Sequence, residues 1–221
     1  MFTVKELQKI YHFGTESIEA LQNVNLSVKR GEFVAIIGHS GSGKSTLLSV
    51  MGGLMRPTGG VVLIEDEDLW AKNDRGRARI RNTKVGFIFQ FASLIPTLTC
   101  LGNVMLPCLF NPKGLQWANQ EKAQQLLQQV GLADKLHAYP NELSGGQQRR
   151  VAIARALINN PIVILADEPT GDLDEETEAE IMKLLLTNLR QHQATLIMVT
   201  HNLDIAQRAD RVLQMKKGRL Q

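Results

Sequence analysis

The octet Gly38-His39-Ser40-Gly41-Ser42-Gly43-Lys44-Ser45 constrains this chain more than any other feature, because it fits G-x-x-x-x-G-K-[S/T] in a particular setting. An apolar run, Phe33 to Ile37, precedes it and reads as a buried strand. Thr46-Leu47-Leu48-Ser49-Val50-Met51 follows and reads as the start of a helix. Strand, glycine loop and helix in that order make a phosphate site. Gly38, Gly41 and Gly43 let the backbone curl until successive N–H groups face one point, and the helix N-terminus adds its dipole. Lys44 then reaches the β- and γ-phosphates of a nucleoside triphosphate, with His39, Ser40, Ser42 and Thr46 beside them, and the Ser45 hydroxyl ligates Mg²⁺.

Bulk properties narrow the setting. A length of 221 residues fits one large α/β domain, or a domain with an inserted lobe. A net charge of +3 is too weak to argue for nucleic acid. Cys100 and Cys108 match no C-x-x-C or Cys/His ligand spacing and read as small buried residues in a reducing compartment. Met1 to Leu7 lacks the apolar core of a signal peptide, and no apolar run approaches the roughly 18 residues of a membrane span. A soluble cytosolic chain is expected, which leaves a membrane partner open.

Before Gly31, short alternating segments such as Ile18 to Val28 predict antiparallel strands, and Val61 to Ile64 predicts another. Val85 to Phe89 predicts a strand that stops at Gln90. Prolines at 96, 107, 112 and 140 and a helix around Ala118 to Val130 then mark a mostly helical lobe, taken as 91–159. Strand–helix alternation returns: helix Gly146 to Asn159, strand Ile162 to Ala166, helix Glu175 to Gln191, and strands Thr195 to Val199 and Arg211 to Met215. That alternation implies a parallel sheet with helical crossovers, so 1–90 and 160–221 form an α/β core carrying an antiparallel β subdomain. The sequence ends at Gln221, soon after the last predicted strand, so no regulatory tail is expected.

Two stretches invite other readings. Lys72 to Lys84 is rich in Arg and Lys, but no aromatic residue is interleaved to stack on bases and Asp74 interrupts it. A solvated surface helix or loop is expected there. Gln116 to Gln129 carries Leu126, Leu127 and then Val130 at helical spacing and predicts an amphipathic helix.

A second constellation lies downstream. Val163-Ile164-Leu165-Ala166-Asp167-Glu168 is an apolar strand ending in two carboxylates. Asp167 suits Mg²⁺ or its water, and Glu168 suits the water that attacks the γ-phosphate. Leu143-Ser144-Gly145-Gly146-Gln147 stands before a predicted helix and offers a second anion receptor. One chain with a P-loop has no evident use for another receptor, unless it is supplied to a second subunit's nucleotide.

These motifs, in this order, resemble the ATP-binding cassette ATPases over the whole chain. Gly38 to Ser45 is similar to Walker A, Gln90 to the Q-loop glutamine and Leu143 to Gln147 to the signature sequence. Val163 to Glu168 is similar to Walker B with its catalytic glutamate, Gly171-Asp172-Leu173-Asp174 to the D-loop, and His201 to the switch histidine. Tyr11 is placed like the aromatic that stacks on adenine. Gly86-Phe87-Ile88-Phe89-Gln90, Leu94 to Thr99, Asn103-Val104, Tyr139 to Ser144 and Ala166 to Gly171 resemble the ATPase subunits of lipoprotein-releasing and macrolide-efflux systems, the LolD/MacB type. Asp172 departs from the asparagine common there.

The resemblance implies ATP and Mg²⁺ as ligands and two copies of the chain arranged head to tail, each nucleotide lying between one P-loop and the other copy's Ser144–Gln147. It implies Glu168, His201, Gln90 and Lys44 as catalytic groups, and Ser45, Gln90 and Asp167 around the metal. It further implies an integral membrane permease as partner, no nucleic acid, and a place on the cytoplasmic face of the membrane. A coupling helix of the permease would dock near Gln90, with Leu94, Ile95 and Pro96 either walling its groove or packing the lobe. Transport by export or extraction, control of a cell-envelope or division complex without transport, and a soluble non-transport role share this ATPase chemistry.

Overall fold

The structure, a computed structural model, describes residues 1–111, 117–171 and 173–221, so Pro112, Gln116 and the D-loop residue Asp172 lie outside the described residues. In chain order it runs β1 (Phe2–Phe13), β2 (Glu16–Val28), β3 (Phe33–Ile37), α1 (Lys44–Met51), β4 (Gly59–Ile64), β5 (Glu67–Asp68), α2 (Asp74–Lys84), β6 (Val85–Ile88) and α3 (Cys100–Leu109). There follow α4 (Trp117–Gln129), α5 (Gly145–Leu157), β7 (Val163–Asp167), α6 (Glu175–His192), β8 (Thr195–Thr200), α7 (Leu203–Ala206), β9 (Arg211–Lys216) and β10 (Arg219–Leu220).

Two sheets share one molecule. The larger has strand order β10-β9-β3-β8-β7-β6, parallel throughout except for the antiparallel β9–β10 edge pair. The smaller is antiparallel, β2-β1-β4-β5, with register shifts in β1. The patterning that predicts them is visible in burial. In β2, Val24, Leu26 and Val28 are buried while Asn23, Asn25 and Ser27 are exposed, one face wet and one dry. In β3 successive residues serve different layers. Val34 and Ile36 pack with Leu47, Val50 and Met51 of α1 and with the small sheet, whereas Phe33 and Ala35 face the cluster holding α5 and α6. Burial on both faces explains why β3, β7 and β8 read as continuous apolar runs rather than alternating ones.

Between β6 and β7 the described elements are helical: α3, α4 and α5 pack on one another through Val104, Cys108, Leu126, Leu127, Val130 and Val151. Both cysteines are buried and free there, and burial pushes their thiols up. The predicted strand Val85–Phe89 ends one residue early, at Ile88, and β10 and α7 carry too few residues to show a period. The Lys72–Lys84 stretch forms α2, capped by Asn73, whose side chain accepts from Gly76 N. Three of its cations are engaged within the molecule: Lys84 with Glu65 and Glu67, Arg81 with the Gly53 carbonyl, and Arg77 with Asp74 and over the Trp70 ring. Of the surface helix or loop expected there, the helix is what forms, with Ile80 as its buried residue. No helix among the described residues is long and apolar enough to cross a membrane.

Candidate active site

The carboxyl ends of β3, β7 and β8 open into a cleft of about 950 Å³, the position where open α/β sheets place their ligands. The loop Gly38–Gly43 leaves β3 and turns into α1 there. Gly43 sits at φ 106° at the helix N-cap, and a Cβ on it would lie 2.5 Å from the Ala20 carbonyl oxygen. A Cβ on Gly38 would lie 2.4 Å from that of Met215. Either position admits glycine alone. The β9–β10 turn braces the loop, with Gly218 N donating to Ser42 O and Gln22 N to Gly218 O. Lys44 is 8% exposed, and its Nζ donates to the Gly38 and His39 carbonyls at 2.6 and 3.1 Å. An ammonium partnered by two neutral carbonyls and set beside a helix N-terminus makes this end of the cleft a receptor for anionic phosphate.

Asp167 and Glu168 face that ammonium from the end of β7. Burial pushes the Asp167 carboxyl up and the neighbouring Glu168 pushes it further, while the Ser45 hydroxyl and Lys44 pull it down. Glu168 has φ 44°, a left-handed conformation that turns the chain sharply as the strand ends. Its Oε1 lies 3.0 Å from Nδ1 of His201, which follows β8. Gln90, two residues beyond β6, also lines the cleft. The fold therefore brings together Gly38, His39, Ser40, Gly41, Gly43, Lys44, Ser45, Thr46, Gln90, Asp167, Glu168 and His201.

Ser42 stands behind the loop, buried, its Oγ without a hydrogen-bond partner. Tyr11 is not part of the cleft wall. Its hydroxyl donates to Met55 Sδ and lies 3.4 Å from Thr46 Oγ1, so it supports the loop from the side. Ser144, Gly145, Gly146 and Gln147 also stand outside the cleft. Ser144 Oγ accepts from Gln147 N at the start of α5, and the Gln147 side chain accepts in return from Ser144 N.

Several neighbours escape sequence reading. Ile18, Glu19, Ala20 and Lys217 wall the cleft, yet they belong to strand β2 and a tight turn with no motif of their own. Arg149 is 6% exposed on α5 and donates to Phe89 O at 2.8 Å and to Gly171 O at 3.2 Å. It thus joins α5 to the segments leading into Gln90 and away from Glu168. A second hollow, about 500 Å³, opens between α2, β6 and α3, with Leu54, Phe87, Phe89, Leu106, Pro107 and Phe110 on its wall. Leu94, Ile95 and Pro96 are not among its lining. Leu94 packs on the helical core, and the fully buried Asn103 pins Ile95, accepting from its N–H and donating to the Ile95, Leu98 and Thr99 carbonyls.

Taken together, a glycine loop on the central parallel strand, a buried lysine and an acidic strand end define a P-loop nucleoside triphosphatase. Comparison with known proteins takes this further. A family model described as ABC transporter matches residues 21–171. An uncharacterized ABC transporter ATP-binding protein of Thermotoga maritima is 49% identical over 216 residues, covering 98% of this chain and 92% of its own length. The lipoprotein-releasing system ATP-binding protein LolD of Legionella pneumophila (strain Paris) is 45% identical over 220 residues, covering 100% and 96%. Among solved structures, the dimeric post-hydrolysis state of the Methanocaldococcus jannaschii cassette MJ0796, bound to ADP and Pi, matches with a TM-score of 0.91 and 44% identity over 100% of this chain and 97% of that one. This chain belongs to the ABC transporter family as an ATP-binding cassette, and it is an ATPase.

Proposed function

We propose that the chain is the ATP-hydrolysing subunit of a transporter. In this reading it works as a head-to-tail pair on the cytoplasmic face of the membrane and powers export or extraction of a substrate through a separate membrane subunit. One observation carries the pairing: the phosphate-facing parts are split. The cleft gathers the P-loop, Gln90, Asp167, Glu168 and His201, while Ser144–Gln147 presents a capped helix start outside it. A second copy brought head to tail would supply that helix start to the nucleotide.

Within this reading the triphosphate lies on the Gly38–Thr46 amides, and Lys44 offsets charge on its terminal oxygens. Ser45 and Asp167, a hydroxyl and a carboxylate side by side, suit Mg²⁺, which takes one or two protein oxygens and fills its shell with water and phosphate; Gln90 stands close to that pair in the cleft. The ion would supply added positive charge against the phosphate oxygens. Glu168 takes a proton from the attacking water as its oxygen bonds to the γ-phosphorus and the bridge to the β-phosphate breaks. His201 holds the Glu168 carboxylate in line. ATP contacts both copies and so favours the closed pair; loss of the γ-phosphate lets it reopen.

The apolar hollow supports a membrane partner. Leu54 and Phe110 are 51% and 71% exposed on its rim, a combination suited to an amphipathic helix of another subunit. Residues 91–159 would move as a lobe with that helix, and Arg149 links their motion to the cleft. Affinity purification from detergent-solubilised native membranes tests the role. Recovery of an integral membrane protein with the chain is expected. Recovery of ribosomes, nucleic acid or soluble proteins alone would contradict it and leave the ATPase standing.

A further inference from the structure

We infer that Glu178 is a positioning residue for hydrolysis, holding the catalytic carboxylate and the switch histidine in register. It sits in the first turns of α6, whose start is fixed by Asp174: one carboxylate oxygen accepts from Thr177 N at 2.9 Å and the other from Thr177 Oγ1 at 2.7 Å. From that anchored turn the two oxygens of Glu178 reach two different loops. Oε2 accepts from Thr170 Oγ1 at 3.1 Å and Oε1 from Asn202 Nδ2 at 2.9 Å. Thr170, which is 3% exposed, lies two residues beyond Glu168, and Asn202 lies one residue beyond His201.

The direction of the Asn202 amide is set independently. Its Oδ1 accepts from the Asp204 and Ile205 amides, which leaves Nδ2 to face Glu178. A single carboxylate therefore bridges the two segments that carry the Glu168–His201 pair.

The geometry explains why such a bridge is needed. Glu168 holds a left-handed φ of 44°, a conformation that persists only where its surroundings over-determine it. Backbone bonds tie Glu168 N to Val199 O and Gly171 N to Glu168 O. Those bonds fix the strand end; they leave Thr170 and Asn202 without a side-chain link to each other. Glu178 supplies that link, and these bonds go to Thr170 and Asn202 rather than to the phosphate loop. Its loss is therefore expected in turnover rather than in nucleotide affinity, because a small misplacement of a reacting group lowers the rate of the chemical step.

The inference rests on the roles proposed above for Glu168 and His201, and the test separates the two. Steady-state hydrolysis of Mg-ATP by the full chain is measured for Glu178→Ala, Glu178→Gln, Thr170→Val and Glu168→Gln, with thermal melting of each. Glu178→Ala is expected to lower kcat about tenfold with KM for ATP held within about twofold. Glu178→Gln is expected to restore kcat to within about threefold of the parent, since its carbonyl accepts from Asn202 and its amide donates to Thr170. Thr170→Val, losing one of the two tethers, should lower kcat about threefold. An unchanged kcat in Glu178→Ala, a change confined to KM, or an equal loss in Glu178→Gln overturns the inference. Should Glu178→Ala fail to fold, a full kcat in Thr170→Val overturns it instead. Parent-like hydrolysis by Glu168→Gln removes the reading beneath it, whereas an inactive Glu168→Gln beside a fully active Glu178→Ala removes this inference alone.

Discussion

The nucleotide cleft and the apolar hollow are built in opposite ways. Gly38–Thr46 and Asp167–Glu168 bring nearly half of the cleft's lining from two short contiguous runs, and the proposed phosphate recognition falls largely to backbone N–H groups. The hollow takes Leu54 from beyond α1, Phe87 and Phe89 from β6 and its exit, Leu106 and Pro107 from α3, and Phe110 just past it. Phosphate binding needs successive amides, so it leaves a contiguous trace in sequence. A docking surface needs only shape and dryness, which distant segments can supply together without any motif.

That contrast predicts separable effects. Lys44→Ala removes the buried ammonium and should weaken Mg-ATP binding at least about hundredfold, as a charge-assisted contact desolvated in a cleft would, while leaving capture of the proposed membrane partner intact. A titration of nucleotide-induced thermal stabilisation reads the first effect and co-purification the second. Phe110→Asp should do the reverse, abolishing co-purification with the partner while the isolated chain keeps ATP affinity within about twofold. Loss of both properties in either variant would break the comparison.

The smallest effect is the one on stability in Asp167→Asn. Burial raises the Asp167 carboxyl in the folded chain, so the folded state binds more protons than the unfolded one between the ordinary carboxylate range and the raised value. Stability is lost as pH rises through that window. Removing the charge should therefore raise the melting temperature at neutral pH by about 2 °C, a small figure because the group is partly solvated, and give no gain at more acidic pH where both states are protonated. Hydrolysis should fall in the same variant. A lower melting temperature at neutral pH would show that Asp167 stabilises the fold as an anion.

How much of this was legible in sequence follows from the same physics. β3, β7 and β8 announce themselves because burial on both faces demands unbroken apolar runs, and α6 because Asp174 and the apolar Ile181, Met182, Leu185 and Leu189 mark its start and its face. Leu94, Ile95 and Pro96, apolar and near Gln90, read equally as a docking wall or as packing of the lobe. Asn103, a buried polar residue that no sequence pattern marks, ties their loop to the helical core. Arg149 and Glu178 are invisible for a different reason: each bonds to groups in other segments of the chain, and charged residues on predicted helices ordinarily read as solvated.

On the proposed reading, one chain holds an incomplete site which a second copy completes around ATP. Sedimentation equilibrium of Glu168→Gln tests it directly, measured without nucleotide, with Mg-ATP and with Mg-ADP, beside the same chain carrying Ser144→Arg. A monomer is expected without nucleotide or with ADP, twice that mass with ATP, and no ATP-dependent doubling once Ser144 is replaced. A monomer under every condition, or an equal doubling with Ser144→Arg, would contradict it.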